Sequence, residues 1–153
     1  DLDGELVIRG GMLLREYWRN PELTARLLTP SGFHTGDLGW ADADGYLYLH
    51  GRRDDVINVG GKKVAPEEVE EVLLRYDGIR DAACVGIADP EGVAGHVVQA
   101  FVVAAAPPDP ERLRAHLRSH LEEYQVPRLI ECVGAIPRTE SGKIQRRKLL
   151  TAI

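Results

Sequence analysis

Hydrophobic and polar positions keep one rhythm up to about residue 50 and another beyond it. Early in the chain, "GELVIRG" (4–10) alternates with the two-residue period of a strand. "NPELTARLL" (20–28) predicts a short helix, with Asn20 as N-cap, Pro21 at the first helical position and Glu22 in the first turn. "GDLGWADADGYLYLHGR" (36–52) predicts a β-hairpin, because the turn dipeptide Asp44-Gly45 precedes the alternating Tyr46, Leu47, Tyr48 and Leu49. From residue 53 the pattern becomes a strand, a glycine turn and a helix opened by Pro66, with Glu67 and Glu68 in its first turn. Val69, Val72, Leu73 and Tyr76 form one apolar stripe on that helix, and Gly78 is a natural stop. "DAACVGIA" (81–88) and "VVQAFVVAA" (97–105) read as buried strands. After the proline-rich connection "APPDPE", Asp109 caps a second helix in which Leu113, Leu117, His120, Leu121 and Tyr124 recur at helical spacing. "LIECVGAI" (129–136) is the last strand, and the basic tail after Lys143 is expected to end in a helix.

The order β, α, β, β, α, β with a terminal helix predicts an α+β fold with helices on one face of a central sheet. Residues 1–50 offer a strand, a short helix and a hairpin but no second layer. They are expected to be the mainly β tail of a larger body, as part of a longer protein or half of a split assembly.

Composition narrows the function classes. With 153 residues and 44% hydrophobic side chains the chain can bury a core, and a formal net charge of −5 argues against a nucleic-acid-binding body. No apolar run approaches the roughly 20 residues that span a bilayer, and the start lacks a signal peptide's basic flank, so the expected location is cytoplasmic. Cys84 and Cys132 lie in strand-like runs and read as buried free thiols. His116 and His120 stand four apart without the partners of a zinc set, and His120 reads as half-buried packing. "DADG" does not complete a calcium loop, and "TESGKI" has Pro137 and Ile144 where a phosphate-binding Walker loop needs glycine and Ser or Thr.

Four stretches carry candidate chemistry. Asp37 in "HTGDLG" either accepts both hydroxyls of a ribose or caps its own turn. Arg52 to Asp55 form a charged knot between the hairpin and the next strand, which as a bare pattern is also an ordinary solvated loop. Gly60 and Gly61 permit positive φ and close backbone approach, with Lys62 and Lys63 beside them to meet an anion. Lys143, between a turn-prone stretch and a basic run, is either a catalytic group or a solvated cation.

Order and spacing add what the single stretches lack. "TGDLG", "DGYLYLHGR", "GRRDDVINVGGKKVAPEEVEEVL", "VGIADPEG", "AFVV", "YQVPRLIE" and "IPRTESGKIQRRKL" together resemble the C-terminal third of the superfamily of AMP-forming acyl-CoA synthetases, peptide-synthetase adenylation domains and luciferases. The resemblance covers essentially the whole chain. It implies a large N-terminal domain holding the acid and ATP, and a small C-terminal domain that swings over it. Such enzymes make an acyl-adenylate from a carboxylic acid and Mg-ATP, then pass the acyl group to a thiol.

By that resemblance residues 1–51 are the tail of the large domain, 52–55 the hinge and 56–153 the mobile small domain. Asp37 would bind the ribose hydroxyls, Arg52 would contact the ribose from the border, and Asp54 would be the hinge position. Gly60 and Gly61 would lie beside the pantetheine tunnel, and Lys63 near phosphate. Lys143 would reach the α-phosphate and the attacking carboxylate in the adenylation pose, where a mobile ammonium stabilises a charge-rich transition state.

The implied cofactors are ATP/AMP, Mg2+ held mainly by the N-terminal domain, and CoA or phosphopantetheine as acceptor. The implied partners are that N-terminal domain in cis or in trans, a carboxylic acid of fatty-acid or secondary metabolism, and an acyl or peptidyl carrier protein. Nucleic acid and a membrane span are not implied. "VINVGGKKVAPEEVE" looks closer to acyl-CoA ligases than to peptide-synthetase domains, and the chain alone is expected to be inactive. Departures fall at Gly95 and His96, where relatives have "WGE", and at Gln125, where lysine is usual. The other expectation is a non-catalytic module that keeps the fold to dock a carrier protein or regulate a partner.

Overall fold

The computed structural model describes residues 4–150. The chain divides into two compact units after Asp54. The first comprises β1 (Gly4–Ile8), α1 (Pro21–Leu27), β2 (Leu28–Thr29), β3 (Gly32–Ala41) and β4 (Leu47–Arg52). β3 is the organising strand, with β1, β2 and β4 all pairing to it antiparallel. Asn20 caps α1 as expected, its side-chain oxygen accepting the Leu23 N–H at 3.0 Å. In the hairpin turn Asp42 does the capping, taking the N–H groups of Asp44 at 3.0 Å and Tyr46 at 2.8 Å through one oxygen. The alternation in β4 buries neither face within this unit: Leu47, Tyr48 and Leu49 stay exposed, and Trp40 stacks on Tyr48 with ring centres 4.5 Å apart.

The second unit contains β5 (Ile57–Val59), β6 (Lys62–Val64), α2 (Pro66–Leu74), β7 (Ile79–Ala88), β8 (His96–Ala104), α3 (Pro110–Arg118), β9 (Leu129–Cys132) and α4 (Arg146–Leu150). β7 and β8 pair antiparallel, and β9 joins β8 in parallel, the crossover being supplied by α3. One face of this sheet presents Ala82, Cys84, Val98, Ala100 and Val102 to Val69, Val72 and Leu73 of α2 and to Leu113 and Leu117 of α3. Each fully buried leucine there contributes about 1.5–3 kcal/mol. Asp109 caps α3 by accepting the Glu111 and Arg112 N–H groups at 2.9 and 3.2 Å.

The structure changes four expectations. β6 is an additional strand, created by the glycine turn that folds it back on β5. Helices cover both faces of the sheet, because the alternate residues Ala83, Val85 and Phe101 pack with Ile136 and with Leu149 of α4 on the far side. α3 ends at Arg118, where the Ser119 N–H and hydroxyl satisfy its last carbonyls; His120 lies beyond and is exposed. The half-buried imidazole is instead His116, whose Nε2–H donates to the Val72 carbonyl at 3.0 Å. Cys84 is buried, but Cys132 is exposed; both are free thiols.

Candidate functional site

In the first unit, register sets Arg52 of β4 opposite Asp37 of β3. Arg52 Nη1 donates to Asp37 Oδ1 at 2.6 Å, and Nη2 donates to the Thr35 carbonyl at 3.2 Å. The turn itself is capped by Thr35, whose hydroxyl accepts the Asp37 N–H at 3.0 Å. The Asp37 carboxylate is therefore not spent on its own backbone. One oxygen holds Arg52, and Oδ2 has no partner among the described residues.

Beneath this pair sits Glu5, a residue that sequence patterns did not single out. It accepts His34 Nδ1–H at 2.9 Å, the Gly36 N–H at 3.0 Å and Arg53 Nη1 at 2.8 Å. The His34 hydrogen bond leads in holding the Glu5 carboxyl below its ordinary pKa, against a desolvation cost, with the Gly36 N–H and the nearby Arg53 and His34 charges adding to it. β1 is thus tied to the Thr35-Gly36 turn and to Arg53. Asp54 follows, 70% exposed, its carboxylate 3.9 Å from Arg53 Nε.

In the second unit, Gly60 and Gly61 form the two-residue turn joining β5 to β6, with φ of +57° and +87°. These signs are those of the primed hairpin turn, and Asn58 Oδ1 accepts the Gly61 N–H at 2.9 Å. A Cβ at either glycine would meet nothing within 4 Å, so inside this unit the positive φ alone accounts for glycine. The neighbouring "DPEGVAGH" loop is bound to this turn, the Gly60 N–H donating to the Ala94 carbonyl at 2.9 Å and Val59 bridging to Gly95. Asp89 organises that loop by accepting the N–H groups of Glu91, Val93 and Ala94, and these bonds, Ala94's first, lower its pKa. Lys63 is exposed. Lys62 instead turns its ammonium onto the Tyr124 ring, 4.3 Å from the centre, at the rim of a 370 Å³ cavity that also includes Val97, Glu123 and Arg128. Gln125 donates to Glu68 at 2.9 Å.

Lys143 stands on a separate loop of the same unit. Arg138 and Ile144 bridge its base, the Thr139 N–H donates to the Lys143 carbonyl at 2.8 Å, and the Gly142 N–H donates to the Thr139 carbonyl at 2.9 Å. Gly142 has φ +85°, the left-handed residue that lets so short a turn close. The Lys143 N–H donates to Thr139 Oγ1 at 3.1 Å. Its backbone is fully engaged, whereas its side chain is exposed and its ammonium has no partner among the described residues.

Just past this loop lies a buried ion cluster that local patterns did not reveal. Arg146, 12% exposed, donates to Glu70 Oε1 at 2.8 Å and Glu67 Oε1 at 2.7 Å, and its Nε lies 3.5 Å from Asp55 Oδ2. Glu70 also accepts the Cys84 N–H at 2.7 Å. Burial raises the Glu70 pKa, and Arg146 works against that rise. Desolvation opposes the Arg146 charge, yet Glu70 and Glu67 together push its pKa up. The available sequence signal was the position of Glu70 on the Pro66–Leu73 side of α2, where a solvated residue does not belong.

Asp37 and Arg52 are thus brought together; Gly60, Gly61 and Lys63 share one hairpin; Lys143 occupies its own loop. Among the described residues no three His, Cys, Asp or Glu side chains cluster at metal-binding distance. No helix among them is long and apolar enough to cross a membrane.

Residues 68–143 match the family model of the AMP-binding enzyme C-terminal domain. The chain is 42% identical to sulfoacetate–CoA ligase of Cupriavidus necator, across 96% of its own length and 29% of that protein's. It is 40% identical to 2-succinylbenzoate–CoA ligase of Geobacillus kaustophilus, across 95% of its length and 30% of the relative's. Among solved structures, amide bond synthetase McbA from Marinactinospora thermotolerans is 42% identical with a TM-score of 0.87, covering 99% of this chain and 31% of that one. The o-succinylbenzoate CoA synthetase of Bacillus subtilis, solved with its acyl-adenylate intermediate, is 30% identical with a TM-score of 0.88, covering 97% and 30%. The chain therefore spans under a third of the length of these relatives.

Proposed function

The chain belongs to the AMP-binding enzyme C-terminal domain family through residues 68–143, and from that premise we propose that it is the C-terminal segment of an AMP-forming acid–thiol ligase. In the first half-reaction a carboxylate oxygen attacks the α-phosphorus of ATP and pyrophosphate leaves. In the second a thiol displaces AMP from the acyl-adenylate. An N-terminal part, in cis or in trans, holds the acid and ATP, and supplies the ligands for Mg2+, whose chemistry is to neutralise the phosphates.

The observation that carries this reading is Lys143: a hydrogen-bonded turn presenting one ammonium that has no partner among the described residues. A carboxylate closing on a phosphate concentrates negative charge, and a cation with no competing internal partner can be given wholly to it. Asp37, whose Oδ2 has no partner among the described residues, suits the ribose hydroxyls, and Arg52 both fixes that carboxylate and reaches the sugar. Residues 52–55 act as the hinge, with the exposed Asp54 as its pivot, and the small domain begins at residue 56. Gly60, Gly61 and Lys63 border the path of the acceptor's pantetheine and phosphates. The relatives named as CoA ligases favour CoA over a carrier protein as that acceptor, and a cytoplasmic location suits both.

With the N-terminal part supplied, the expected result is acid-dependent ATP–pyrophosphate exchange, lowered about 100-fold or more by Lys143→Ala. Full exchange in that variant refutes the role of the lysine. No exchange under any acid tried would favour a non-catalytic docking module. Product analysis with CoA and an amine offered together identifies the acceptor, a relevant choice because the amide bond synthetase and sulfoacetate–CoA ligase are each 42% identical to this chain.

A further inference from the structure

We propose that Arg138 is the positioning residue for Lys143, a strut that carries the rigidity of β7 into the Lys143 loop. The inference rests on the reading of Lys143 as the adenylation lysine. A flexible four-carbon side chain is useful in a transition state only if its Cα is aimed correctly, and that aim depends on the peptide plane joining Gly142 to Lys143.

Both polar ends of that one plane are held. The Lys143 N–H donates to Thr139 Oγ1 at 3.1 Å, and the Gly142 carbonyl accepts Arg138 Nη1 at 2.8 Å. The same guanidinium donates through Nη2 to Asp81 Oδ1 at 2.7 Å. Asp81 is itself steadied, since that oxygen also accepts the Ala82 N–H at 3.0 Å, and it stands on β7 within the sheet. The Thr139 contact is local and moves with the loop; Ile144 packs on the sheet from the far side of Lys143, and Arg138 ties the Gly142 carbonyl itself to the sheet through Asp81. A planar fork with donors on two nitrogens can hold two acceptors in fixed relation; lysine, a point charge with rotatable donors on a flexible stem, lacks that fixed fork.

The pair is part-exposed, Arg138 at 40% and Asp81 at 31%, and the fold does not rest on it. That makes Arg138→Gln a usable test, with Arg138→Lys and Asp81→Asn as companions. Two readouts are needed. Amide hydrogen exchange on this chain should show the Thr139, Gly142 and Lys143 N–H groups of Arg138→Gln opening about tenfold more readily, with core amides of β7 and β8 unaffected. With the N-terminal part supplied, kcat for acid-dependent ATP–pyrophosphate exchange should fall about 10- to 100-fold. The KM for ATP and the transfer of a preformed acyl-adenylate to the thiol should not change. Arg138→Lys and Asp81→Asn should fall between wild type and Arg138→Gln.

Unaltered loop exchange and unaltered kcat in Arg138→Gln would overturn the proposal. So would equal loss of both half-reactions with faster exchange throughout the unit, the mark of a merely structural residue. Lys143→Ala separates the two layers. If it is inactive while Arg138→Gln is fully active, the lysine keeps its role and the strut is wrong; if Lys143→Ala is fully active, the reading of the lysine fails and the strut's catalytic purpose with it.

Discussion

Removing the Arg146 guanidinium, as in Arg146→Met, isolates the energetic centre of the second unit. Three carboxylates share this cation, but they do not count equally. Glu67 and Asp55 are 38% and 34% exposed, and such arms contribute about 0–1 kcal/mol each after solvent screening. Glu70 is 9% exposed and only 2.8 Å away, so its uncompensated charge dominates; loss of one member of a buried pair costs about 3–5 kcal/mol. At about 4 °C or more per kcal/mol for a domain of this size, the melting temperature should drop by at least about 12 °C.

Adding Glu70→Gln should return most of the loss, because glutamine removes the stranded charge and keeps an acceptor for the Cys84 N–H. Urea unfolding followed by far-ultraviolet circular dichroism reads the helices of this unit, and repeating it across pH tests the cause. Burial raises the Glu70 pKa in the folded state, and without Arg146 that rise grows. A raised folded pKa gives stability that is present below the unfolded value and lost as pH climbs through the folded one. The deficit of Arg146→Met should therefore be smallest in acid and grow toward neutrality. A deficit of about 1 kcal/mol or less, flat with pH, would mean the cluster behaves as a surface pair and would refute the reasoning.

Two further outcomes follow from the geometry. With a thiol reagent under native conditions Cys132 should react promptly, whereas Cys84, whose pKa burial pushes well up, should react only as the sheet opens; equal rates would contradict that burial. Glu5→Gln should destabilise the first unit by about 1 kcal/mol near neutrality, read by the fluorescence of Trp18 and Trp40. Because the Glu5 pKa is depressed, its contribution exists above the unfolded value and fades as pH falls through the folded one, so variant and wild type should converge in acid.

Legibility in the sequence followed the range of the forces involved. Caps at Asn20 and Asp109, the α2 stripe and the β7 and β8 runs depend on neighbours a few residues away, and all were readable from pattern. β6 was not, because Lys62-Lys63-Val64 has no apolar rhythm and becomes a strand only through the turn before it. The end of α3 was missed because Leu121 and Tyr124 pack on the core from a non-helical turn and so prolong the helical spacing. The second covered face of the sheet was in fact written in β7 and β8, where Ala83, Val85 and Phe101 are as apolar as their alternates, but its cover, Leu149, lies far along the chain. For the site, Lys143 was reachable only through the ordered company of other motifs. Glu5, Asp81 and Glu70 escaped because their partners stand dozens of residues away: 48 to Arg53, 57 to Arg138 and 76 to Arg146.

Glu70 also bears on the outer border of the sheet. β7 is an outer strand of its sheet, and outer strands expose unpaired N–H groups that invite a strand from another chain. The carboxylate that steadies Arg146 occupies such a position at Cys84. Swapping the cluster for close-fitting aliphatic side chains, a familiar route to stability, would leave that buried N–H without an acceptor, at a cost of about 1–3 kcal/mol. Position 70 thus serves the backbone of the sheet as well as the ion cluster, and any redesign must keep an acceptor there.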